Sequence, residues 1–341
     1  MITIKDIAHA AGVSTSAVSL VLNNRSRGRV SSHTAQHIRA IADHFGYSPN
    51  PLAQSLRTNR TKTIGLLSNH VITLPFPSEL LAGAQEAAFD NDFLMLCVDT
   101  NGCQAKEKIA INALIQRNID ALIIALPSLD TIEIPELPSD LPVVVLNGRP
   151  NSASKNSTDS VVPDNHEGAK VATQALIDAG HRNIAYCSVS GYEATEERME
   201  GYAEALRQAH IPVDPSLIVT AQSVDTAAAL GIARDLLSKP NRPTAVCCFC
   251  DQVSMAFYEV AVTLGLSIPQ DLSIVGFDNQ RFVAEALNPG LTTIELPLKQ
   301  MGRWATQRLI ERVSQPKKEF APIHMQMKCP LIHRTSIGPP H

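Results

Sequence analysis

Short polar side chains follow one another near the N-terminus, where the spacing predicts a helix with one open face. Val18, Val21 and Leu22 recur with helical spacing and predict its buried face, and Ser14 is a suitable N-cap. The open face then carries Thr15, Ser16, Ala17, Ser19, Leu20 and Asn23. Because these side chains are short, such a helix can approach base edges in a major groove of DNA closely. We expect Thr15, Ser16, Ala17 and Leu20 to contact bases, and Ser14, Ser19 and Asn23 to contact the DNA backbone.

The charge of the chain is unevenly distributed. Residues 1–62 hold eight Lys and Arg against two Asp, a net charge of +6, so the remainder carries −10 within an overall −4. A local positive field favours phosphate contacts, and an acidic body discourages unspecific coating of DNA. Arg27 and Arg29 follow the predicted helix closely, which favours contact with phosphates. A solvated surface loop is the alternative for these arginines.

Two further helices are predicted to hold the open helix in place. Ile4, Ile7, Ala8 and Ala11 form one apolar stripe that stops at Gly12, and a later stripe contains Ile38, Ile41, Ala42 and Phe45. Three short helices over residues 1–47 therefore predict a small helical domain with a helix-turn-helix arrangement.

Length and composition restrict the class of the whole protein. At 341 residues and 44% apolar content, the chain is predicted to form more than one domain. It has no apolar run near the ~20 residues that span a bilayer and no secretory signal, so we expect a cytoplasmic protein. Seven cysteines fit that compartment as thiols, and their spacing predicts no metal site. No cofactor motif and no catalytic constellation is evident, so an enzyme is not expected.

After Lys62 the pattern changes to strands and helices in alternation. Helices are predicted at 78–89, 105–116, 167–179 and 199–208, and apolar strands at 63–67, 93–98, 121–126, 143–146, 183–189, 244–249 and 272–277. Continuous apolar strands separated by helices predict parallel sheets covered on both faces. A polar segment at 157–163 interrupts the series, which predicts two α/β lobes. A ligand cleft between the carboxyl ends of their strands is the natural expectation.

Motifs in both parts resemble one family of bacterial transcription factors. The head contains Thr3-Ile4-Lys5-Asp6-Ile7-Ala8, Ala11-Gly12-Val13-Ser14, Gly46-Tyr47-Ser48-Pro49-Asn50 and Ser55-Leu56-Arg57. The body contains Pro163-Asp164-Asn165, Gly180-His181-Arg182-Asn183-Ile184, Arg198-Met199-Glu200-Gly201-Tyr202 and Val275-Gly276-Phe277-Asp278-Asn279. In this order they resemble the lactose-repressor/galactose-repressor family over about the whole chain.

The resemblance implies an architecture. It predicts a DNA-binding domain at 1–47, a hinge with a short helix at 48–61, and an effector-binding and dimerisation domain at 62–341 of the periplasmic-binding-protein type. The N-terminal lobe is expected at about 62–160 and 292–320, and the C-terminal lobe at about 162–290 and 321–335. A homodimer is expected, because the chain ends without an apolar heptad tail.

The hinge has a physical basis as well. Asn50 is a fit N-cap and Pro51 suits the first helical position, but a helix this short is marginal in water without a partner. The resemblance implies that two such helices meet in the minor groove, where Leu56 wedges between base pairs beside Ala53. It also places Thr3, Asn50 and Arg57 at the DNA backbone.

Leu20 occupies a position where many relatives carry Arg or His. A leucine cannot donate to guanine but can cover a thymine methyl group, so we expect an A·T pair opposite Leu20. Packing of Leu20 against the third helix is the alternative.

The resemblance also implies an effector site. Asp164, Arg198 and Asp278 match family positions that face the cleft, and Phe76 matches an aromatic residue that covers the ligand. This set suits a polyol, because Arg donates as a fork and carboxylates accept from hydroxyls. The chain would then be a ligand-responsive repressor of a carbohydrate-utilisation operon, with operator DNA, a sugar-like effector and a second copy as partners.

Two departures keep the ligand class open. Cys250 stands where the family usually has Asn, and Val224 aligns with the expected aromatic platform of the C-terminal lobe. Tyr192 and Thr195 are nearby candidates to compensate. A sugar acid, a nucleobase or another metabolite is therefore the alternative effector.

Overall fold

The chain divides after Lys62 into a helical unit, residues 1–62, and an α/β unit, residues 63–341. The structure is a computed structural model that describes residues 2–22, 26–47, 60–316 and 318–341. Most of the predicted hinge, at 48–59, lies outside the described residues. Among the described residues, no helix is both long and apolar enough to cross a bilayer.

The helical unit contains α1 (Ile4–Ala11), α2 (Thr15–Leu22) and α3 (Ser32–His44). Gly12 ends α1 with a φ of 63°, a left-handed conformation that glycine adopts without strain. The buried core consists of Ile7, Ala8, Val18, Val21, Ala35, Ile38 and Ala42. The predicted stripe on α3 was wrong at one end, because Phe45 caps the helix and is 44% exposed.

The α/β unit alternates strands and helices as the apolar pattern predicts. Its strands are, in chain order, β1 (Thr63–Ser68), β2 (Leu94–Asp99), β3 (Ala121–Ala125), β4 (Thr131–Ile132), β5 (Val143–Leu146), β6 (Arg149–Pro150), β7 (Asp159–Pro163), β8 (Ile184–Val189), β9 (Ile218–Ala221), β10 (Ala245–Cys248), β11 (Ser273–Asp278), β12 (Thr292–Glu295), β13 (His324–Met327) and β14 (Leu331–Ile332). Its helices are α4 (Ser78–Phe89), α5 (Gln104–Gln116), α6 (Asn165–Asp178), α7 (Ala194–Gln208), α8 (Thr226–Leu237), α9 (Asp251–Thr263), α10 (Arg281–Ala284) and α11 (Leu298–Ser314).

Twelve of these strands form two six-stranded sheets, one in each lobe. The first has the order β13-β7-β5-β3-β1-β2 and the second the order β14-β12-β11-β10-β8-β9. The pairings are parallel except for β14, which runs antiparallel to β12. Separate apolar clusters cover the two faces of each sheet, as expected for parallel sheets wound on both sides.

The boundaries of the lobes differ from the expected ones at three places. The polar segment 157–163 is not an interruption, since β7 lies within it and is fully buried in the first sheet. β12, expected in the N-terminal lobe, belongs to the second sheet, and β13, expected in the C-terminal lobe, belongs to the first. β13 is an edge strand with alternating exposure, held by backbone pairing to β7, which an apolar pattern cannot reveal.

The first lobe carries a small extension toward the second. β4 and β6 follow β3 and β5 and pair as a two-stranded parallel sheet. This extension contacts Glu193 and Glu197 at the beginning of α7 in the second lobe.

Candidate functional site

Capping interactions position the open helix of the head. Thr3 and Asp6 form a capping box at the beginning of α1, with the Thr3 amide donating to Asp6 Oδ2 at 2.8 Å. At the beginning of α2, the Ala17 amide donates to Ser14 Oγ at 3.1 Å. These bonds fix the first turn of each helix while leaving Thr3 and Ser14 exposed.

The face of α2 that the sequence assigns to base contact is open. Thr15 and Ser16 are exposed, and Ala17, Ser19 and Leu20 are half-buried. Among the described residues, those packed on the head core include Leu22, Val30 and Ile41 but not Leu20. Leu20 is half-buried, so part of its side chain is accessible for apolar contact with a thymine methyl group.

Two arginines assigned to the DNA backbone lie in the described part of the head. Arg27 and Arg29 are exposed in the turn between α2 and α3, on the same unit as the open face. The remaining residues assigned to DNA contact, Asn23, Asn50, Ala53, Leu56 and Arg57, lie outside the described residues.

A cavity of about 110 Å³ lies between the two lobes of the α/β unit. The N-terminal lobe contributes the beginning of α4 and the loop before it, and the C-terminal lobe contributes the end of β11 and α10. Aromatic, carboxylate and amide side chains line it: Pro75, Phe76, Glu79, Asp278, Asn279, Gln280, Arg281, Phe282, Glu295 and Leu296. Carboxyl groups and two aromatic rings thus lie on the same lining.

Charges from both lobes face each other at this cavity. Arg281 pairs with Glu285 at 2.9 Å, and this bond raises the pKa of the Arg281 guanidinium, with smaller contributions from Glu79 and Glu295. Glu295 also accepts from Asn279 Nδ2 at 3.2 Å. The lining thus holds the carboxyl groups of Glu79, Asp278 and Glu295 against the single cation Arg281.

Arg198 reaches the cavity only through Asp278. The residue is 5% exposed, and its guanidinium donates to Asn165 Oδ1 at 3.0 Å, to the Phe249 carbonyl, and to Asp278 Oδ1 at 3.3 Å. The charge also lies 3.7 Å from the centre of the Phe277 ring. One hydrogen bond from Arg198 and one from Gln280 Nε2 hold the buried Asp278 carboxyl group in place at the cavity.

Two buried carboxyl groups lie close together at the cavity, Asp278 in its lining and Asp251 behind it. Burial raises the pKa of Asp278, and Arg198 offsets part of that effect. Burial, followed by the charge of Asp278, raises the pKa of Asp251 well above its ordinary value. Asp251 accepts from Thr293 Oγ1 and from the Gln280 amide, so it fixes the backbone that carries the cavity-lining Gln280.

The other residues assigned to the effector do not line this cavity. Asp164 caps α6, accepting from the Glu167 amide at 3.1 Å. Cys250 is buried at the N-cap of α9, where burial raises the pKa of its thiol. Tyr192 packs beside Phe249 with ring centres 5.7 Å apart, and Thr195 donates to the Val189 carbonyl. Of the six predicted effector residues, the structure brings Phe76 and Asp278 to the cavity, with Arg198 one contact behind.

Sequence reasoning missed several residues of the lining, above all Phe282. This side chain is 61% exposed and supplies an aromatic ring from the C-terminal lobe, which the alignment of Val224 had left without one. Glu79, Gln280 and Glu295 were missed as well. Their place in the chain could have indicated some of these residues. Asn279 to Phe282 directly follow the carboxyl end of β11, and parallel sheets bind ligands at the carboxyl ends of their strands.

Metal-binding side chains are scattered over the described residues. Within them, no three His, Cys, Asp or Glu side chains cluster as ligands. The seven cysteines are free thiols, and five of them are buried.

Models of two protein families match the chain. "Bacterial regulatory proteins, lacI family" matches residues 3–50, and "Periplasmic binding protein-like domain" matches residues 173–337. The first match covers the helical unit and the second covers most of the C-terminal lobe.

Similar proteins extend these matches over the full length. The chain is 32% identical over 340 residues to the HTH-type transcriptional repressor PurR of Photobacterium profundum, covering 99% of each. It is 33% identical over 332 residues to the ribose operon repressor of Haemophilus influenzae, covering 97% of this chain and 98% of the relative. A solved LacI family regulator from Enterococcus faecium with bound ribose is 26% identical, with a TM-score of 0.61 over 81% of this chain and 99% of that one.

Proposed function

Because this chain belongs to the lacI family of bacterial regulatory proteins, and is thus a DNA-binding transcriptional regulator and not an enzyme, we propose that it is a repressor controlled by a small ligand. The single observation that carries the ligand part is the cavity at which Phe76 of one lobe and Phe282 of the other lie on the same lining. A ligand held by both lobes binds one relative position of the lobes better than others.

We assign separate roles to three parts of the chain. Residues 1–47 read the operator, residues 48–61 form the hinge with its short helix, and residues 62–341 bind the effector and a second copy. Thr15, Ser16, Ala17 and Leu20 contact bases, Ala53 and Leu56 act in the minor groove, and the backbone contacts are those of Thr3, Ser14, Ser19, Asn23, Arg27, Arg29, Asn50 and Arg57. The exposure of Thr15 and Ser16 on α2, and of Arg27 and Arg29 in the turn after it, supports this assignment. Such a regulator acts in the cytoplasm.

The lining of the cavity favours a neutral effector with several hydrogen-bond donors. Asp278, Glu79 and Glu295 offer hydrogen-bond acceptors, Glu79 and Glu295 disfavour anions, and the rings of Phe76 and Phe282 provide apolar faces. A volume of about 110 Å³ is well below the ~300–1,000 Å³ of pockets for drug-sized ligands, which suits a single ring. A monosaccharide fits this description, and the names of the ribose operon repressor and the ribose-bound regulator support it.

A nucleobase is the second candidate. Two aromatic rings from opposing lobes suit a flat ring, and carboxylate and amide groups at its edge suit ring N–H and amino donors. Several relatives carry the name PurR, whereas a sugar acid is disfavoured by the negative lining.

A homodimer is the proposed assembly. Three large apolar side chains of the N-terminal lobe are strongly exposed: Phe89 at 71%, Ile109 at 70% and Leu94 at 54%. Leu94 begins the edge strand β2, and the other two lie on α4 and α5. Light scattering of the intact protein should give twice the chain mass, and Ile109→Glu should shift it toward the monomer. A monomeric mass for the unaltered protein would contradict this assembly.

The function is tested by fluorescence anisotropy with the promoter DNA next to the gene of this protein. We expect specific binding whose affinity falls with salt concentration as steeply as several phosphate contacts require. Adding D-ribose or adenine should change this affinity. Phe76→Ala should remove the ligand response while keeping DNA affinity, and Leu74→Ala, at an exposed neighbour outside the lining, should change neither. Equal affinity for random DNA would refute a specific regulator.

A further inference from the structure

A continuous set of polar contacts joins the extension of the first lobe to the ligand cavity. It begins at Arg149 of β6 and passes through Glu197 and Asn165 to the pair of Arg198 and Asp278. Asp278 and its hydrogen-bonded neighbour Gln280 line the cavity. We propose that Arg149 latches the two lobes together and that Glu197 and Asn165 position the Arg198–Asp278 pair when the latch is closed. The inference rests on the proposed ligand role of the cavity.

The latch is built from ionic and hydrogen-bond contacts between the lobes. Arg149 Nη2 donates to Glu197 Oε1 at 2.6 Å, and its Nη1 lies 4.0 Å from Glu193 Oε2. The Thr131 amide and hydroxyl donate to the two oxygens of Glu193 at 2.8 and 3.1 Å. Every donor here belongs to the β4–β6 extension and every acceptor to the beginning of α7.

The two glutamates are suited to this role by their spacing. Glu193 and Glu197 are four residues apart, so they lie on one face of α7, one turn from each other. Their charges repel, and Arg149 from the other lobe is the cation that compensates both. Removing Arg149 therefore withdraws the attraction between the lobes and leaves two neighbouring carboxylates that favour water.

The side-chain amide of the buried Asn165 links Glu197 to Arg198 and so can position Arg198. Asn165 is 1% exposed; its Nδ2 donates to Glu197 Oε2 at 3.2 Å, and its Oδ1 accepts from Arg198 Nε at 3.0 Å. Displacement of Glu197 by an opening of the lobes must move or break one of these bonds. The orientation of Arg198, and through it that of Asp278, thereby depends on the latch.

Hydrogen exchange on the full-length protein tests the latch without any ligand. Charge-assisted hydrogen bonds are the strong class, so Arg149→Ala should speed amide exchange about tenfold in segments 130–133 and 193–197. If the latch also positions the Arg198–Asp278 pair, Arg149→Ala should speed exchange at 278–281 as well, although this segment is far from Arg149 in the chain. Arg149→Lys, which keeps the charge, should recover much of the protection, and Glu197→Gln should reproduce the effect at 278–281.

Arg207→Ala provides the matched control. Arg207 pairs with Glu200 on the same helix α7, and both side chains are more than half exposed within one lobe. It should leave all three segments unchanged. Exchange in Arg149→Ala equal to that in Arg207→Ala would overturn the latch, and faster exchange at 130–133 with no change at 278–281 would overturn the positioning role.

The failure of this inference can be told from failure of the proposed function. Anisotropy with promoter DNA is measured on the same variants, and absence of specific binding by the unaltered protein counts against the regulator alone. With D-ribose or adenine as the probe, Arg149→Ala should bind several-fold more weakly than Arg207→Ala.

Discussion

Two glycines at the crossing of α4 and α11 allow the backbones of these helices to touch. A Cβ added at Gly83 would fall against the backbone carbonyl of Lys299, with Lys299 Cα only 3.0 Å away. A Cβ added at Gly302 would fall against the Leu80 carbonyl, with the Ala84 nitrogen at 2.9 Å. Because the obstructing atoms are backbone on both sides, no side chain can rotate away to make room. We therefore predict that Gly83→Ala is strongly destabilising.

The magnitude follows from two opposing effects. Overpacking of a well-packed interface costs about 1–3 kcal/mol, and contact with rigid backbone places this change at the upper end. Alanine recovers about 1 kcal/mol through its better helix propensity. We expect a net loss of about 2 kcal/mol in the free energy of unfolding. At ~2–4 °C per kcal/mol for domains of this size class, thermal unfolding followed by circular dichroism should show a fall of about 4–8 °C.

Gly231→Ala in α8 is the matched control. Apart from its chain neighbours and the backbone of its own helix, no heavy atom lies within 4 Å of the position of its added Cβ. Only helix propensity therefore changes, and we expect stabilisation by about 0.5–1 kcal/mol. Gly83→Ala should also weaken ligand binding, because α4 carries Glu79 of the cavity lining at its beginning. If Gly83→Ala proved as stable as Gly231→Ala, the close approach of the two helices would be refuted.

Three further predictions concern the head and the cavity. Leu20→Arg should change the preferred base pair at one operator position from A·T to G·C with about 1–3 kcal/mol of discrimination, measured by selection from random DNA; an unchanged preference would contradict base contact by residue 20. Phe282→Ala should weaken effector binding by about 1 kcal/mol, or roughly fivefold, in calorimetry, whereas Val262→Ala at a 77% exposed position should leave it unchanged. The pKa of Asp251 is raised above its ordinary 3.8 in the folded state. At a pH between the unfolded-state and folded-state pKa, the folded chain keeps a proton that the unfolded chain releases. The contribution of Asp251 to stability therefore falls as the pH rises through this range. Urea unfolding should therefore show that the stability of Asp251→Asn, relative to the unaltered protein, increases from pH 4 to pH 7. A stability difference that does not change with pH would count against the raised pKa.

Local apolar periodicity predicted most of the elements, because it reports which face of a segment is buried. It failed where burial depends on distant partners. Asp159 lies in a segment read as a polar interruption, yet it is fully buried in β7, accepting from Arg308 Nε at 3.1 Å and from Arg312 Nη1 at 2.7 Å. Those two arginines follow about 150 residues later, on α11. A carboxylate can be buried in a core when cations pair with it, but the residues next to it in the sequence give no indication of that burial.

The candidate site divides in the same way. Phe76 and Asp278 were found through the resemblance, and both line the cavity. Phe282, Glu79 and Glu295 were missed, because no local pattern distinguishes a side chain that lines a cavity from one that is merely exposed. Arg198 was expected at the ligand but is engaged by Asn165, the Phe249 carbonyl and Asp278.

The sequence by itself determined the helix-turn-helix head with its positive charge, the alternation of strands and helices, and the family. Each of these depends on residue types at fixed short spacings, which local sterics and burial translate directly into helices, strands and charge. Only the tertiary structure decided the exchange of β12 and β13 between the lobes, the lining of the cavity and the contact of Arg149 with Glu197. These features join residues tens of positions apart, and their energies depend on the distance and burial of both partners, which exist only once the chain has folded.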